Sequence, residues 1–100
     1  MYTVRFSSKR VEKEVKCLEK KDRVIAEAVF EELMKEPRPA KYQYEQLLCN
    51  SVVKKLKAGR VRIFYMINEN IKEIVVGRVC YRTSNTYQCE PSSWFRGVVA

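Results

Sequence analysis

The sequence contains no histidine. That excludes every mechanism that needs an imidazole base, and it removes the commonest metal ligand. The four cysteines, Cys17, Cys49, Cys80 and Cys89, include no C-x-x-C pair. With no histidine beside them, this argues against zinc, and no metal or cofactor is expected. Free thiols are the default for such a chain, with a disulfide reserved for a hyperthermophilic host. Cys17 and Cys80 read as small core residues. No apolar run approaches the roughly 20 residues of a membrane span. The N-terminus lacks the apolar stretch of a signal peptide. The expectation is a cytoplasmic protein with no membrane partner.

Acidic residues are also in short supply. Lys and Arg total 20 against 12 Asp and Glu, leaving a formal charge of +8 on 100 residues. An excess of that size favours a polyanionic partner, nucleic acid first and an acidic protein second. Hydrophobic residues make up 46% and charged residues 32%, proportions that belong to a folded domain and not to a disordered chain. One hundred residues suffice for one compact domain, so 1–100 is read as a single unit.

The hydrophobic pattern orders the elements. "YTVRF" (2–6) alternates and is rich in β-formers, which predicts a first strand. Ser7 or Ser8 then caps a helix with Val11, Val15 and Leu18 as its apolar stripe. After the polar turn "EKKD" (19–22), Asp22 is the expected cap of a second helix. Its stripe is Ile25, Val29 and Leu33, widened by Ala28 and Phe30, and Pro37 and Pro39 end it. So short a turn predicts a helical hairpin. Residues 36–46 read as a loop. "LLCN" and then "SVVKKLK" are candidate strands, and Ala58-Gly59 makes the turn. "RVRIFYMI" (60–67), the turn "NEN" (68–70) and "EIVVGRVCYR" (73–82) follow. Segregated helices and strands predict an α+β domain: an N-terminal strand, a two-helix hairpin, then an antiparallel meander of three to four strands.

Side chains alternate across a strand. Over 60–67, Val61, Ile63, Tyr65 and Ile67 share one face, and Arg60, Arg62, Phe64 and Met66 the other. Lys55 and Lys57 point one way with Leu56 between them. Arg78, Cys80 and Arg82 share a face, with Ile74 and Val76 further back. One sheet face thus gathers Lys55, Lys57, Arg62, Arg78 and Arg82, floored by Phe64 and Met66. Cross-strand neighbours lie only about 5 Å apart, so like charges there repel until an anion arrives. That arrangement predicts a phosphate-binding face. Lys54, Arg60, Arg78, Phe64 and Tyr81 are the expected nucleic-acid contacts around it. Tyr65 is read as core.

Three stretches, in order, resemble the RelE/ParE superfamily of toxin–antitoxin toxins. "YTVRFS" is followed by a Lys-rich helix. "KLKAGRVRIFYMI" (55–67) looks like the family's basic–Leu–basic strand, glycine turn and Arg–x–x–Tyr strand. "VCYRTSNTY" (79–87) resembles its closing strand, where an arginine precedes a tyrosine. The resemblance covers about residues 2–87. It implies a RelE-like fold and one of two functions. RelE-type members are mRNA endoribonucleases that act on the ribosome, and ParE-type members inhibit DNA gyrase.

For a RelE-type toxin the resemblance implies metal-independent cleavage in which the RNA 2′-hydroxyl attacks the adjacent phosphate. Arg62 would bind that phosphate and Arg82 would stabilise the transition state. Tyr87 would move a proton or stack on a base. Lys55 and Lys57 match the basic pair, either of which is a candidate general base. Family members often carry histidine before the closing arginine, and here Tyr81 stands there. Under this resemblance Lys54, Arg60, Arg78, Phe64 and Tyr81 would be RNA contacts. The retained arginines and tyrosine favour the nuclease over the gyrase inhibitor, and over a third reading, a catalytically inactive relative that only binds an antitoxin or nucleic acid. An acidic antitoxin and mRNA on the ribosome are the implied partners. Trp94 and Phe95, in the 88–100 tail, read as docking residues on the chain's own surface or against the antitoxin.

Overall fold

The computed structural model describes residues 2–36, 42–46 and 53–81. Seven elements run in the order β1 (Thr3–Phe6), α1 (Lys9–Lys16), α2 (Lys20–Lys35), β2 (Gln43–Gln46), β3 (Lys54–Ala58), β4 (Val61–Asn68) and β5 (Glu73–Tyr81). They form one five-stranded sheet of order β1-β5-β4-β3-β2. β2 to β5 are an antiparallel meander, and β1 joins β5 in parallel. The α+β architecture matches expectation. One strand, β2, lies inside the stretch read as a loop. "LLCN" falls outside the described residues. No helix among the described residues is long and apolar enough to cross a membrane.

The helices cover one face of the sheet. Val11 and Val15 of α1, Leu18 after it, and Ala26, Val29 and Leu33 of α2 pack there. They meet Leu56 and Ala58 of β3, Val61, Ile63 and Tyr65 of β4, and Ile74, Val76 and Val79 of β5. Burying each Val, Leu or Ile among them stabilises the domain by about 1.5–3 kcal/mol. Tyr65 is core, as read. The α2 stripe is rotated from the expected one: Ala26 is fully buried, while Ile25 is 37% exposed and Ala28 is exposed. The helix starts at Lys20, so Asp22 lies in its first turn and not at its cap. Cys17, the C-cap of α1, is exposed and not part of the core.

Gly59 turns the chain from β3 to β4 with φ +62, a backbone conformation that costs glycine nothing. A second irregularity matters more. Phe64 lies opposite Arg78, but Tyr65 lies opposite Val76, so Gly77 is an extra residue in β5. A bulge of one residue reverses the alternation beyond it. Ile74 and Val76 therefore face the helices, while Arg78 and Cys80 face away. Strict alternation had placed all four on one side. Val75, not Val76, joins Val53 and Phe64 in a small cluster on the far face, with Met66 and Cys80 against it.

β1 pairs with β5 only as far as Phe6 and Val76, and Ser7 N–H donates to Val76 O at 2.9 Å. Beyond that point α1 satisfies the strand edge with side chains. Arg10 Nη2 donates to Gly77 O at 2.7 Å, and Glu14 Oε1 accepts from Val79 N–H at 2.9 Å. Arg10 Nη1 and Glu14 Oε2 close the pair at 2.9 Å.

Candidate functional site

On the face away from the helices, the register builds two cross-strand rows. Lys57 lies opposite Arg62, which lies opposite Cys80. Lys55 lies opposite Phe64, which lies opposite Arg78. Neighbours in such rows sit about 5 Å apart. Lys55, Lys57, Arg62 and Arg78 thus come together on one face, as the alternation predicted. The next strand outward pairs Gln43 with Lys57 and Glu45 with Lys55 in the backbone register.

Burial sorts this group. Lys55 is only 4% exposed and Phe64 not at all, whereas Lys57, Arg62 and Arg78 are half-buried. Phe64 was expected to contact RNA. A ring without accessible surface cannot stack on a base, so it acts here as the floor of the face. Lys54 was expected on the same surface, but it is a register partner of Tyr65 and lies on the helix side, buried.

Arg60 and Tyr81 also belong to the helix side. Arg60 occupies the turn after Gly59, where strand alternation no longer applies. Its Nη2 donates to Asp22 Oδ2 at 2.7 Å and to Glu19 Oε2 at 3.2 Å. Its guanidinium carbon lies 5.1 Å from the centre of the Tyr81 ring, within range of a cation–π contact. The Tyr81 hydroxyl accepts from Glu19 N–H at 2.8 Å, satisfying a backbone donor at the start of α2. The hydrogen bond from Arg60 holds Asp22 below its ordinary value. Desolvation opposes it, and the Tyr81 hydroxyl and the nearby charges of Arg60 and Lys21 assist. The same hydrogen bond and the charge of Asp22 raise Arg60. These contacts make a clasp between α2, the β3–β4 turn and the end of β5.

Arg62 stands where the two arrangements meet. Its Nη1 donates to Gly59 O at 2.8 Å and to Val61 O at 3.1 Å. Those bonds turn its guanidinium toward the sheet end. There it lines a cleft of about 380 Å³ with Glu19, Gly59, Arg60 and Tyr81. Carbonyl acceptors leave a guanidinium's charge intact, so it can still bind an anion. No group of acidic, cysteine or histidine side chains able to hold a metal is present among the described residues.

No protein-family model and no curated protein matches the chain significantly. Solved structures do. The chain is similar to the RelE–RelB complex of Pyrococcus horikoshii at 23% identity and a TM-score of 0.72, covering 83% of this chain and 97% of that one. For the isolated RelE toxin of E. coli the values are 21% and 0.67, covering 88% and 93%. A toxin–antitoxin complex from Mycobacterium tuberculosis gives 25% and 0.59, covering 81% and 98%. The fold is that of the RelE toxins.

Of the site residues expected in this RelE-like chain, Arg82 and Tyr87 lie outside the described residues, as does the tail with Trp94 and Phe95. Sequence reasoning missed Asp22 and Glu19, which hold the turn beside Arg62. A signal for Asp22 was present. It shares the helical spacing of Ala26, Val29 and Leu33, and a carboxylate on a buried stripe needs a cationic partner.

Proposed function

We propose that this chain is the toxin of a type II toxin–antitoxin system and that it cuts mRNA on the ribosome. The fold supports the toxin reading. The placement of Lys55, Lys57, Arg62 and Arg78 on one face supports the nuclease reading, with Arg62 held by carbonyls at the strand end. That last observation carries the proposal.

The chemistry uses the RNA itself. The 2′-oxygen attacks the adjacent phosphorus, a new P–O2′ bond forms, and the P–O5′ bond breaks. The 2′ proton passes to a base, a role assigned to the lysine pair and better suited to half-buried Lys57 than to Lys55, which is only 4% exposed. An acid, assigned to Tyr87, gives a proton to the departing 5′ oxygen. Arg62 and Arg82 offset the charge gathering on the phosphate oxygens. The products are a 2′,3′-cyclic phosphate and a 5′-hydroxyl. The antitoxin is an acidic protein that neutralises the basic face, and toxin and target meet in the cytoplasm.

The test is to incubate the protein with programmed ribosomes and map the RNA ends, with gyrase supercoiling measured beside it. Cleavage leaving 5′-hydroxyl ends should fall about 10²–10³-fold in Arg62→Ala and in Arg82→Ala, the usual loss for one transition-state donor. Intact RNA with inhibited supercoiling would replace the nuclease by a gyrase inhibitor.

A further inference from the structure

We propose that Asp22 and Arg60 are positioning residues for Arg62. The proposal rests on the nuclease reading for its functional consequence, though not for its geometry. Arg62 is oriented by one side-chain hydrogen bond to Gly59 O and another to Val61 O. Val61 belongs to β4, in register with Ala58 and Tyr81, so its carbonyl is fixed by the sheet. Gly59 belongs to an exposed turn with a left-handed backbone and nothing packed within 4 Å of where a Cβ would stand. The Ala58–Val61 pair closes the hairpin around it, and within that closure a glycine leaves its carbonyl direction less restrained than another residue would.

What restrains that carbonyl is the next residue. Arg60 reaches from the turn to Asp22, a carboxylate 3% exposed on α2, at 2.7 Å. It also lies over Tyr81, whose hydroxyl is tied to the backbone at the start of the same helix. Peptide planarity couples the Gly59 carbonyl to the Arg60 backbone nitrogen. Pinning Arg60 at its far end therefore restricts rotation of the peptide plane that holds Arg62. The cleft records the juxtaposition, since Glu19, Gly59, Arg60, Arg62 and Tyr81 line it together. A guanidinium that must meet a phosphate in line gains from such restraint, because misplacement by about 1 Å can cost about 10²-fold in rate.

The test is a double-mutant cycle with a second readout independent of activity. Asp22→Asn keeps the side-chain shape and removes the charge that holds Arg60. It should lower the turnover of ribosome-bound mRNA about 10–100-fold with KM within about twofold. In an Arg62→Ala background it should change turnover less than twofold, because its effect passes through Arg62. Losses that multiply in the double variant would overturn the proposal. Nitrogen-15 relaxation at Arg62 Nε should show a rigid guanidinium in the wild type and a mobile one in Asp22→Asn. Unchanged mobility would also overturn it. If the wild type leaves RNA intact, the nuclease reading fails, and the relaxation measurement alone decides the positioning. If Asp22→Asn does not fold, Arg60→Gln breaks the same contact from the exposed end and is scored by the same two outcomes.

Discussion

Glu14→Ala should unfasten the middle of β5. The strand's ladder with β1 stops at Val76, and the next edge groups are served by Arg10 and Glu14 of α1. The variant removes a charged acceptor from Val79 N–H, worth about 1.5–3 kcal/mol. It also removes the partner of Arg10, a partly exposed pair worth about 0.3–0.5 kcal/mol. The sum is about 1.8–3.5 kcal/mol, a large share of the roughly 5–15 kcal/mol typical of a domain. At about 4–8 °C per kcal/mol for a chain of this size, thermal unfolding should come roughly 7–28 °C earlier. Glu14→Gln keeps an acceptor without the charge and should lose about 1 kcal/mol. Urea titration gives the free energies, and native-state hydrogen exchange gives the location. The Val79 amide should exchange faster in Glu14→Ala, while Ile74 and Val75, beside β1, should change no more than global stability requires. A variant with the wild-type midpoint and an equally protected Val79 amide would refute the claim that a helix side chain replaces a strand there. Under the proposed nuclease reading the effect would extend to activity, since this segment carries Arg78 and precedes Arg82 in the sequence.

Two further outcomes follow from the site. Phe64→Ala should destabilise the fold by about 3–5 kcal/mol, as expected for emptying a fully buried aromatic position; a stable variant with weakened RNA binding would instead return Phe64 to the RNA surface. Asp22 has its value lowered in the folded state, so its contribution is complete above the unfolded value near 3.8 and disappears as pH falls through the folded value. The stability gap between wild type and Asp22→Asn should be constant from pH 7 to about 5 and close progressively below about pH 4; unfolding midpoints measured across that range check it, and a gap unchanged at pH 2 would deny the ionised Asp22–Arg60 contact.

The sequence determined the kinds of elements, their order and most of their facing. Period-two patterns in 53–58 and 61–67 were enough to put Lys55, Lys57, Arg62 and Phe64 on one side and Leu56, Ile63 and Tyr65 on the other, because the pleat alone dictates that sorting. The long-range terms were decided only in the folded chain. A single extra residue at Gly77 reversed the alternation in β5 and moved Ile74 and Val76 to the helix side, and no local pattern announces a bulge. Arg60 and Tyr81 were expected among the RNA contacts until the turn and the start of α2 brought Glu19 and Asp22 to them. A residue's strand parity is a property of its neighbours in sequence. Its partner is a property of chain segments 38 residues or more away, and only their packing together could make that choice.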